Sequence, residues 1–411
     1  MGITGLLPFL EGATRPCHVS EFRGGTVAVD SYCLLHKGVA ASAFQLANNQ
    51  DTDNYVRYCL KYVNMLLQHD IRPIMVFDGR NLPAKADTEL KRRESRLKAK
   101  QMAKQLTQLG KTTEAETYYK QCLEITPEMA HKLIVACRQK GVDCIVSPYE
   151  SDAQLAFFSI KGVAQCILTE DSDLLVYGCE KVLFKLDSRG NGKLVESPKI
   201  PKAIRMREDQ YSFEKFRFMC ILSGCDYVPS LSGVGLKKAL DFIRMISDTD
   251  PNRFLNRIPT YLKIKAKVTE TYKDQFMVAN ATFLHQLVFD PYRKALIHLR
   301  DPGEMGTDPK YLDSLGEKFE DQLAYGVAMG NLDPISFTKI DAWEPRNVPQ
   351  YSIWSGIFTR RNKRTQKNTL DSFLIRLKQP LTSFVSSKPT PENTDTQPST
   401  LDDDIQIIEP T

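Results

Sequence analysis

Five short runs of β-branched and other apolar residues, set apart by helical stretches, constrain this chain more than any other feature. They are Thr26-Val27-Ala28-Val29, Pro73-Ile74-Met75-Val76-Phe77, Val142-Asp143-Cys144-Ile145-Val146, Gln165-Cys166-Ile167-Leu168 and Lys181-Val182-Leu183-Phe184. Strands alternating with helices predict an α/β fold: a central, mostly parallel sheet flanked by helices. A chain of 411 residues with a 42% hydrophobic fraction has interior enough for it.

The second and third runs are separated by a helical insertion, residues 80 to 140, in which Pro127 marks a helix start. Beyond about residue 205 the pattern is mostly helical, and near 345 its character changes. From Ser386 to Thr411 there is one Lys, six Asp or Glu and no aromatic residue. That composition offsets too little chain entropy to fold, so a disordered tail is expected over 346–411 and a folded core over 1–345.

Ten cysteines are scattered through apolar segments without a C-x-x-C pair. Cys33, Cys59, Cys137, Cys144, Cys166 and Cys220 therefore read as reduced core residues. No apolar run approaches the ~20 residues that span a bilayer, and no signal peptide or complete myristoylation motif opens the chain, which predicts no membrane association. Residues 80 to 104 hold nine Lys or Arg against three Asp or Glu, a local excess greater than the +5 of the whole chain. Such a segment faces an anion.

Acidic side chains follow four of the five predicted strands. Asp30 closes the first, Asp78 the second, Glu150 and Asp152 follow the third, and Asp171 and Asp173 the fourth; Asp226 is a seventh candidate. In open α/β sheets the functional crevice lies beyond the carboxyl ends of the strands, so acids far apart in sequence converge there. Helix capping accounts for Asp30 or Asp152 taken singly, but not for acids after four strands. Confined carboxylates need counter-charge, and hard oxygen donors without His or Cys select Mg²⁺ or Mn²⁺. Two such ions suit phosphodiester hydrolysis that leaves a 5′-phosphate.

Met1-Gly2-Ile3-Thr4-Gly5-Leu6, Val76-Phe77-Asp78-Gly79, Pro148-Tyr149-Glu150-Ser151-Asp152-Ala153-Gln154, Thr169-Glu170-Asp171-Ser172-Asp173 and Gly224-Cys225-Asp226-Tyr227 resemble the flap endonuclease and XPG superfamily of structure-specific 5′ nucleases. The likeness runs from residue 1 to about 345. The short insertion, with Phe218 to Tyr227 and Gln286-Leu287-Val288-Phe289-Asp290-Pro291, is most similar to the exonuclease branch, which serves mismatch repair and end resection. One departure is Ser151, where the family's motif usually has Ala. The resemblance implies that Asp30, Asp78, Glu150, Asp152, Asp171, Asp173 and Asp226 hold metal. It implies nuclease halves at 1–79 and 141–345 around a helical arch at 80–140. Two alternatives share these motifs: a flap endonuclease of replication, and a catalytically inactive DNA-binding scaffold.

Lys85, Glu89, Arg92 and Arg96 fall at i, i+4, i+7 and i+11 on one helix face. The resemblance implies that Lys85 and Arg92 steer the scissile phosphate, with Glu89 near the metals; a solvated charged helix is the competing reading. Ala86 and Leu90 stand where close family members carry basic residues. Gly233-Val234-Gly235, entering a helix with Lys237 and Lys238, reads as a turn at a helix start. The resemblance makes it part of a DNA-binding helix-hairpin-helix near 223–245, with potassium held near Val234 by hydroxyls such as Ser223 and Ser230. Tyr32 and His36 are similar to family positions that contact unpaired end nucleotides, with core packing the alternative. The implied partner is DNA with a 5′ end, nick, gap or flap, together with mismatch-repair proteins. Arg360 to Arg364 reads as a nuclear localisation signal, and Lys367 to Leu374, with Leu381 and Phe384, as a degenerate sliding-clamp motif. Ile405, Ile407 and Ile408 in an acidic setting resemble a SUMO-interacting motif that adds a strand to its partner's sheet.

Overall fold

A computed structural model describes residues 2–47 and 52–356. The basic cluster at 360–364, the clamp-like motifs and the isoleucines at 405, 407 and 408 lie outside the described residues. Along the described chain run β1 (Thr14–His18), β2 (Thr26–Asp30), β3 (Arg72–Phe77), β4 (Asp143–Val146), β5 (Cys166–Leu168), β6 (Lys181–Phe184), β7 (Asn191–Glu196), β8 (Leu287–Asp290) and β9 (Ala295–His298). The first seven form one sheet in the order β1-β7-β6-β5-β2-β3-β4.

The five expected runs are the five parallel strands, β2 to β6. Side chains alternate between two cores, one on each face. Ala28, Ile74, Val76, Ile145, Ile167 and Val182 point one way. Val27, Val29, Met75, Phe77, Cys144 and Leu183 point the other. Burial on both faces is why these strands read as near-continuous apolar runs.

β1 and β7 complete one edge by antiparallel pairing and were not expected from the sequence. β1 reads Thr-Arg-Pro-Cys-His, with Pro16 exposed, and only the last half of β7 is buried. Proline is tolerated at a sheet edge because its missing N–H faces outward. The β8–β9 hairpin also interrupts the region expected to be mostly helical. Asp290-Pro291, at the end of β8, is a turn signal, with Asp290 Oδ1 accepting from Tyr292 N at 2.9 Å.

Strand order reverses at β2: β3 and β4 lie on one side, β5 and β6 on the other. That reversal opens a crevice at the carboxyl ends of β2 and β5. The insertion leaves the end of β3 and returns through β4. Within it the 23-residue helix Ala86–Gln108 packs on Thr112–Cys122, and Pro127–Arg138 packs against the Asn54–Gln68 helix and β4. Past residue 345 the chain still folds back on the sheet: Ser352 Oγ and Ile353 N donate to the Asp143 carboxylate at 2.6 and 3.0 Å. The six core cysteines expected to be reduced are all free and buried. No described helix is long and apolar enough to cross a membrane.

Candidate active site

Because β2 ends in Asp30 and the next helix begins at Ser31, that carboxylate is placed at the crevice. There Oδ1 accepts from Cys33 N at 3.1 Å, and Oδ2 accepts from the Cys33 thiol and the Thr169 hydroxyl, each at 2.7 Å. Asp78 directly follows β3 and caps the neighbouring helix, accepting from Ser151 N at 2.8 Å. Glu150 occupies the N-cap position of that helix, Ser151–Ile160, and Asp152 its first turn. After β5 the chain doubles back so that Asp171 Oδ1 accepts from Asp173 N at 2.9 Å, while Asp173 Oδ1 accepts from Ile3 N at 3.0 Å.

Asp226 joins this group from the loop after the Phe213–Leu222 helix and is where the arch attaches. Thr88 Oγ1 donates to its backbone carbonyl at 2.7 Å, Arg92 to its Oδ2 at 2.7 Å, and the Lys85 ammonium lies 3.0 Å from the same oxygen. Lys85 is also ion-paired with Glu150 Oε1, and Arg92 with Glu89 at 2.7 Å. A cavity of about 690 Å³ is lined by Asp30, Asp78, Glu150, Asp152, Asp171 and Asp226 and by Lys85, Glu89, Arg92, Arg96, Tyr32 and His36. Asp173 lies behind Asp171, buried at 3% exposure.

Burial pushes the Asp30 carboxyl up to about 6, with Asp78 adding to it. Desolvation, reinforced by Asp171 and Glu150, holds Asp152 well above the carboxylate range; desolvation with Asp171 and Asp226 does the same to Asp173. Asp226 goes the other way, since Lys85 and Arg92 outweigh its own desolvation. Lys85 loses solvation too, yet Glu150, Asp226 and Asp152 more than compensate and hold its pKa high. Asp152 meets no hydrogen-bond donor among the described residues, although it is largely enclosed. A carboxylate in that position takes a proton or a cation. Its surroundings offer carboxylate oxygens without His or Cys, which suits hard divalent cations. Among the described residues no group of three or more His, Cys, Asp or Glu is gathered closely enough to enclose an ion, and the Lys85 ammonium itself stands between Glu150 and Asp226.

The other expected residues sit at the margin of this cavity or apart from it. Arg96 lines its outer wall but pairs with Glu124 at 3.0 Å. Tyr32 is half-buried and His36 exposed, their ring centroids 6.5 Å apart. Gly233, Gly235, Lys237 and Lys238 are exposed where a turn joins the Phe213–Leu222 helix to Leu236–Met245, and Gly233 adopts φ +81°. Ser223 Oγ donates to Cys220 O at 2.7 Å, Ser230 is exposed and Val234 is buried.

Several supporting groups were not singled out from sequence. Gly2, at φ +77°, runs against the acids so closely that a Cβ would stand 2.6 Å from Asp173 Oδ1 and nearer still to Asp171 Oδ1. Cys33 and Thr169 hold Asp30. Tyr227 and Gln286 both donate to Glu150 Oε2, at 2.7 and 3.0 Å. Gly2, Tyr227 and Gln286 fall inside the family-like motifs, but nothing local distinguishes them as partners of acids far away in the chain.

Two family models match: the XPG N-terminal domain over residues 1–99 and the XPG I-region over 141–226. Exonuclease 1 of Drosophila melanogaster is 46% identical over 379 residues, 89% of this chain and 52% of that protein. The DNA damage-inducible protein DIN7 of Saccharomyces cerevisiae is 33% identical over 308 residues, 73% of this chain and 69% of that protein. The solved catalytic core of Rad2 in complex with DNA substrate is 17% identical with a TM-score of 0.48, covering 67% of this chain and 85% of that one. Acids at the ends of parallel strands, with an arch leaving the sheet between the two matched regions, define a protein of the XPG class. This chain belongs to the XPG and flap endonuclease superfamily and groups within it with the exonuclease 1 proteins. It spans about half the length of the first such relatives.

Proposed function

We propose that this chain is a divalent-metal-dependent 5′ to 3′ exonuclease on double-stranded DNA, with 5′-flap endonuclease activity, serving DNA repair, mismatch repair and recombination. The observation that carries this reading is that six carboxylates from separate strands and loops line one cavity, with Asp173 hydrogen-bonded to Asp171 beside them and only Lys85 and Arg92 in contact as cations among the described residues.

Asp30, Asp78, Glu150, Asp152, Asp171, Asp173 and Asp226 would hold two Mg²⁺ ions, with Mn²⁺ able to substitute. When bound, such ions activate a water and neutralise the attacking and leaving oxygens of a phosphodiester. Lys85 and Arg92, each carried by the arch, orient the scissile phosphate, and Glu89 holds Arg92 in place. Arginine does this bidentately and stays charged at any relevant pH. Tyr32 and His36 meet the frayed terminal nucleotides, where stacking is worth ~1–3 kcal/mol per base. Arg96 and the exposed Lys237 and Lys238 neutralise backbone phosphates without reading sequence. Gly233 and Gly235 let the backbone approach, and a potassium ion near Val234, Ser223 and Ser230 completes the hairpin.

The test compares a duplex carrying a recessed, labelled 5′ end with a 5′ flap, in Mg²⁺ and in EDTA. Metal-dependent release of 5′-phosphorylated nucleotides from the recessed end supports the exonuclease. Cleavage confined to the flap makes the chain a flap endonuclease, and binding without cleavage makes it a scaffold. Nuclear localisation through residues 360–364, clamp binding through 367–374 and SUMO binding through Ile405, Ile407 and Ile408 belong to the same proposal. Peptides 366–386 and 398–411, titrated with clamp and with labelled SUMO, test the last two.

A further inference from the structure

We infer that Tyr227 and Gln286, backed by Tyr177, are positioning residues that fix one oxygen of Glu150 and present the other to the metal site. The inference rests on the proposed function, in which Glu150 holds metal.

Glu150 sits at a helix N-cap yet makes no capping bond; the Asp78 carboxylate takes the Ser151 N–H instead. Its side chain turns inward, where Oε2 accepts from Tyr227 Oη at 2.7 Å and Gln286 Nε2 at 3.0 Å, leaving Oε1 to Lys85 and the cavity. Tyr177 Oη completes a ring of contacts, 2.8 Å from Tyr227 Oη and 3.2 Å from Gln286 Oε1, and with the Tyr227 proton on Glu150 its own single proton serves one of the two at a time. Only one orientation of the Gln286 amide satisfies this ring, because a flip would set its carbonyl against the carboxylate. Tyr177 and Gln286 are fully buried and Tyr227 is 9% exposed, so water does not compete for these charge-assisted bonds.

The ring also joins segments that carry other acids. Tyr177 ends the short helix that begins with Asp173, Tyr227 is the neighbour of Asp226, and Gln286 immediately precedes β8. A second glutamine, Gln154, ties the hairpin to the Ser151–Ile160 helix: Gln154 Nε2 donates to Phe289 O at 2.9 Å, and Phe289 N donates back to Gln154 Oε1 at 2.8 Å. The Glu150–Asp152 turn, the Asp173 helix and the Asp226 loop are thereby held in one frame by a hairpin that lies outside the two matched XPG regions. Removing a group that orients a metal-holding side chain typically costs roughly 10- to 100-fold in metal affinity.

The experiment uses the full chain with Tyr227→Phe, Gln286→Met and the milder, more remote Tyr177→Phe. Mn²⁺ binding is read by EPR without DNA, single-turnover cleavage is followed across a Mg²⁺ titration, and melting is recorded in EDTA. Tyr227→Phe and Gln286→Met should weaken Mn²⁺ binding roughly 10- to 100-fold and raise the Mg²⁺ requirement, with cleavage largely recovered at high Mg²⁺. Tyr177→Phe should shift both in the same direction by less. Lowered melting with unchanged Mn²⁺ affinity and unchanged Mg²⁺ dependence would overturn the inference, because the ring would then only stabilise the core. If the unaltered chain neither binds Mn²⁺ nor cleaves, the proposed function itself fails; if Glu150→Gln leaves Mn²⁺ binding intact, Glu150 holds no metal and the inference falls alone.

Discussion

Lys85→Ala separates the two roles proposed for one ammonium group: counter-ion to the acids and guide for the scissile phosphate. Lys85 is 15% exposed and pairs with Glu150 and, at 3.0 Å, with Asp226. Removing one member of a buried pair costs ~3–5 kcal/mol because the partner is left charged and unpaired. The lower figure, about 3 kcal/mol, applies here, since the site opens to a cavity and Arg92 remains on Asp226. At about 2 °C per kcal/mol for a folded unit of this size, the metal-free variant should melt roughly 6 °C lower. Mg²⁺ at about 100 times its dissociation constant adds about 2.7 kcal/mol to any chain that binds it. The variant, with no ammonium to displace, should gain more from Mg²⁺ than the unaltered chain does. Its melting deficit should therefore shrink in saturating Mg²⁺, whereas single-turnover cleavage should fall by about 10²-fold or more, because a charge aimed at the reacting phosphate is gone. Scanning fluorimetry in EDTA and in Mg²⁺, quenched-flow cleavage, and DNA affinity in Ca²⁺ provide the readings. A melting deficit of equal size with and without Mg²⁺ would refute the counter-ion role. A fall in cleavage matched by an equal fall in affinity would refute the steering role and favour a solvated charged helix.

Asp173→Ala should abolish cleavage while leaving DNA affinity within a few fold, as measured by anisotropy in Ca²⁺, because the residue is buried beside Asp171 and is not one of the proposed DNA contacts. Gly2→Ala should slow cleavage by about 10²-fold without weakening duplex binding: its Cβ would push Asp171 and Asp173 out of place, and a displacement near 1 Å is enough for such a loss. His285 is buried, its Nδ1 donating to Arg300 O at 2.9 Å and the neutral ring's Nε2 accepting from Thr307 Oγ1 at 2.8 Å, and desolvation lowers its pKa to about 4. Between about pH 6.5 and about pH 4 the unfolded chain binds a proton that the folded chain refuses, so this contribution is intact above that window and is lost on acidification through it. Urea midpoints at about pH 7 and about pH 5 should differ less for His285→Gln than for the unaltered chain; an identical difference would remove His285 as the cause.

How much could be read from the chain alone depends on the range over which each signal acts. Strand-forming runs are local, because a sheet buried on both faces demands consecutive apolar side chains, and β2 to β6 were visible for that reason. Acids that terminate those runs were legible with them: Asp30, Asp78, Glu150, Asp152 and Asp171 all line one cavity because parallel strands bring their carboxyl ends to the same side. The helical face carrying Glu89 and Arg92 was readable from its period, although only the fold showed that Lys85 stands just ahead of the helix, in the turn Pro83–Lys85, and that Arg96 pairs with Glu124. The edge strand β1 and its neighbour β7 left no such mark, since one contains proline and both are partly exposed; pairing, not propensity, makes them strands. The partners of each acid were out of reach for a different reason. Ile3 N meets Asp173 across 170 positions and Gln286 meets Glu150 across 136, separations that no local spacing encodes. Which oxygen of a carboxylate is held and which is free was decided only when the packing of the two cores brought hairpin, helix and N-terminal segment together, because a hydrogen bond over such a distance exists only after hydrophobic burial has set its two ends side by side.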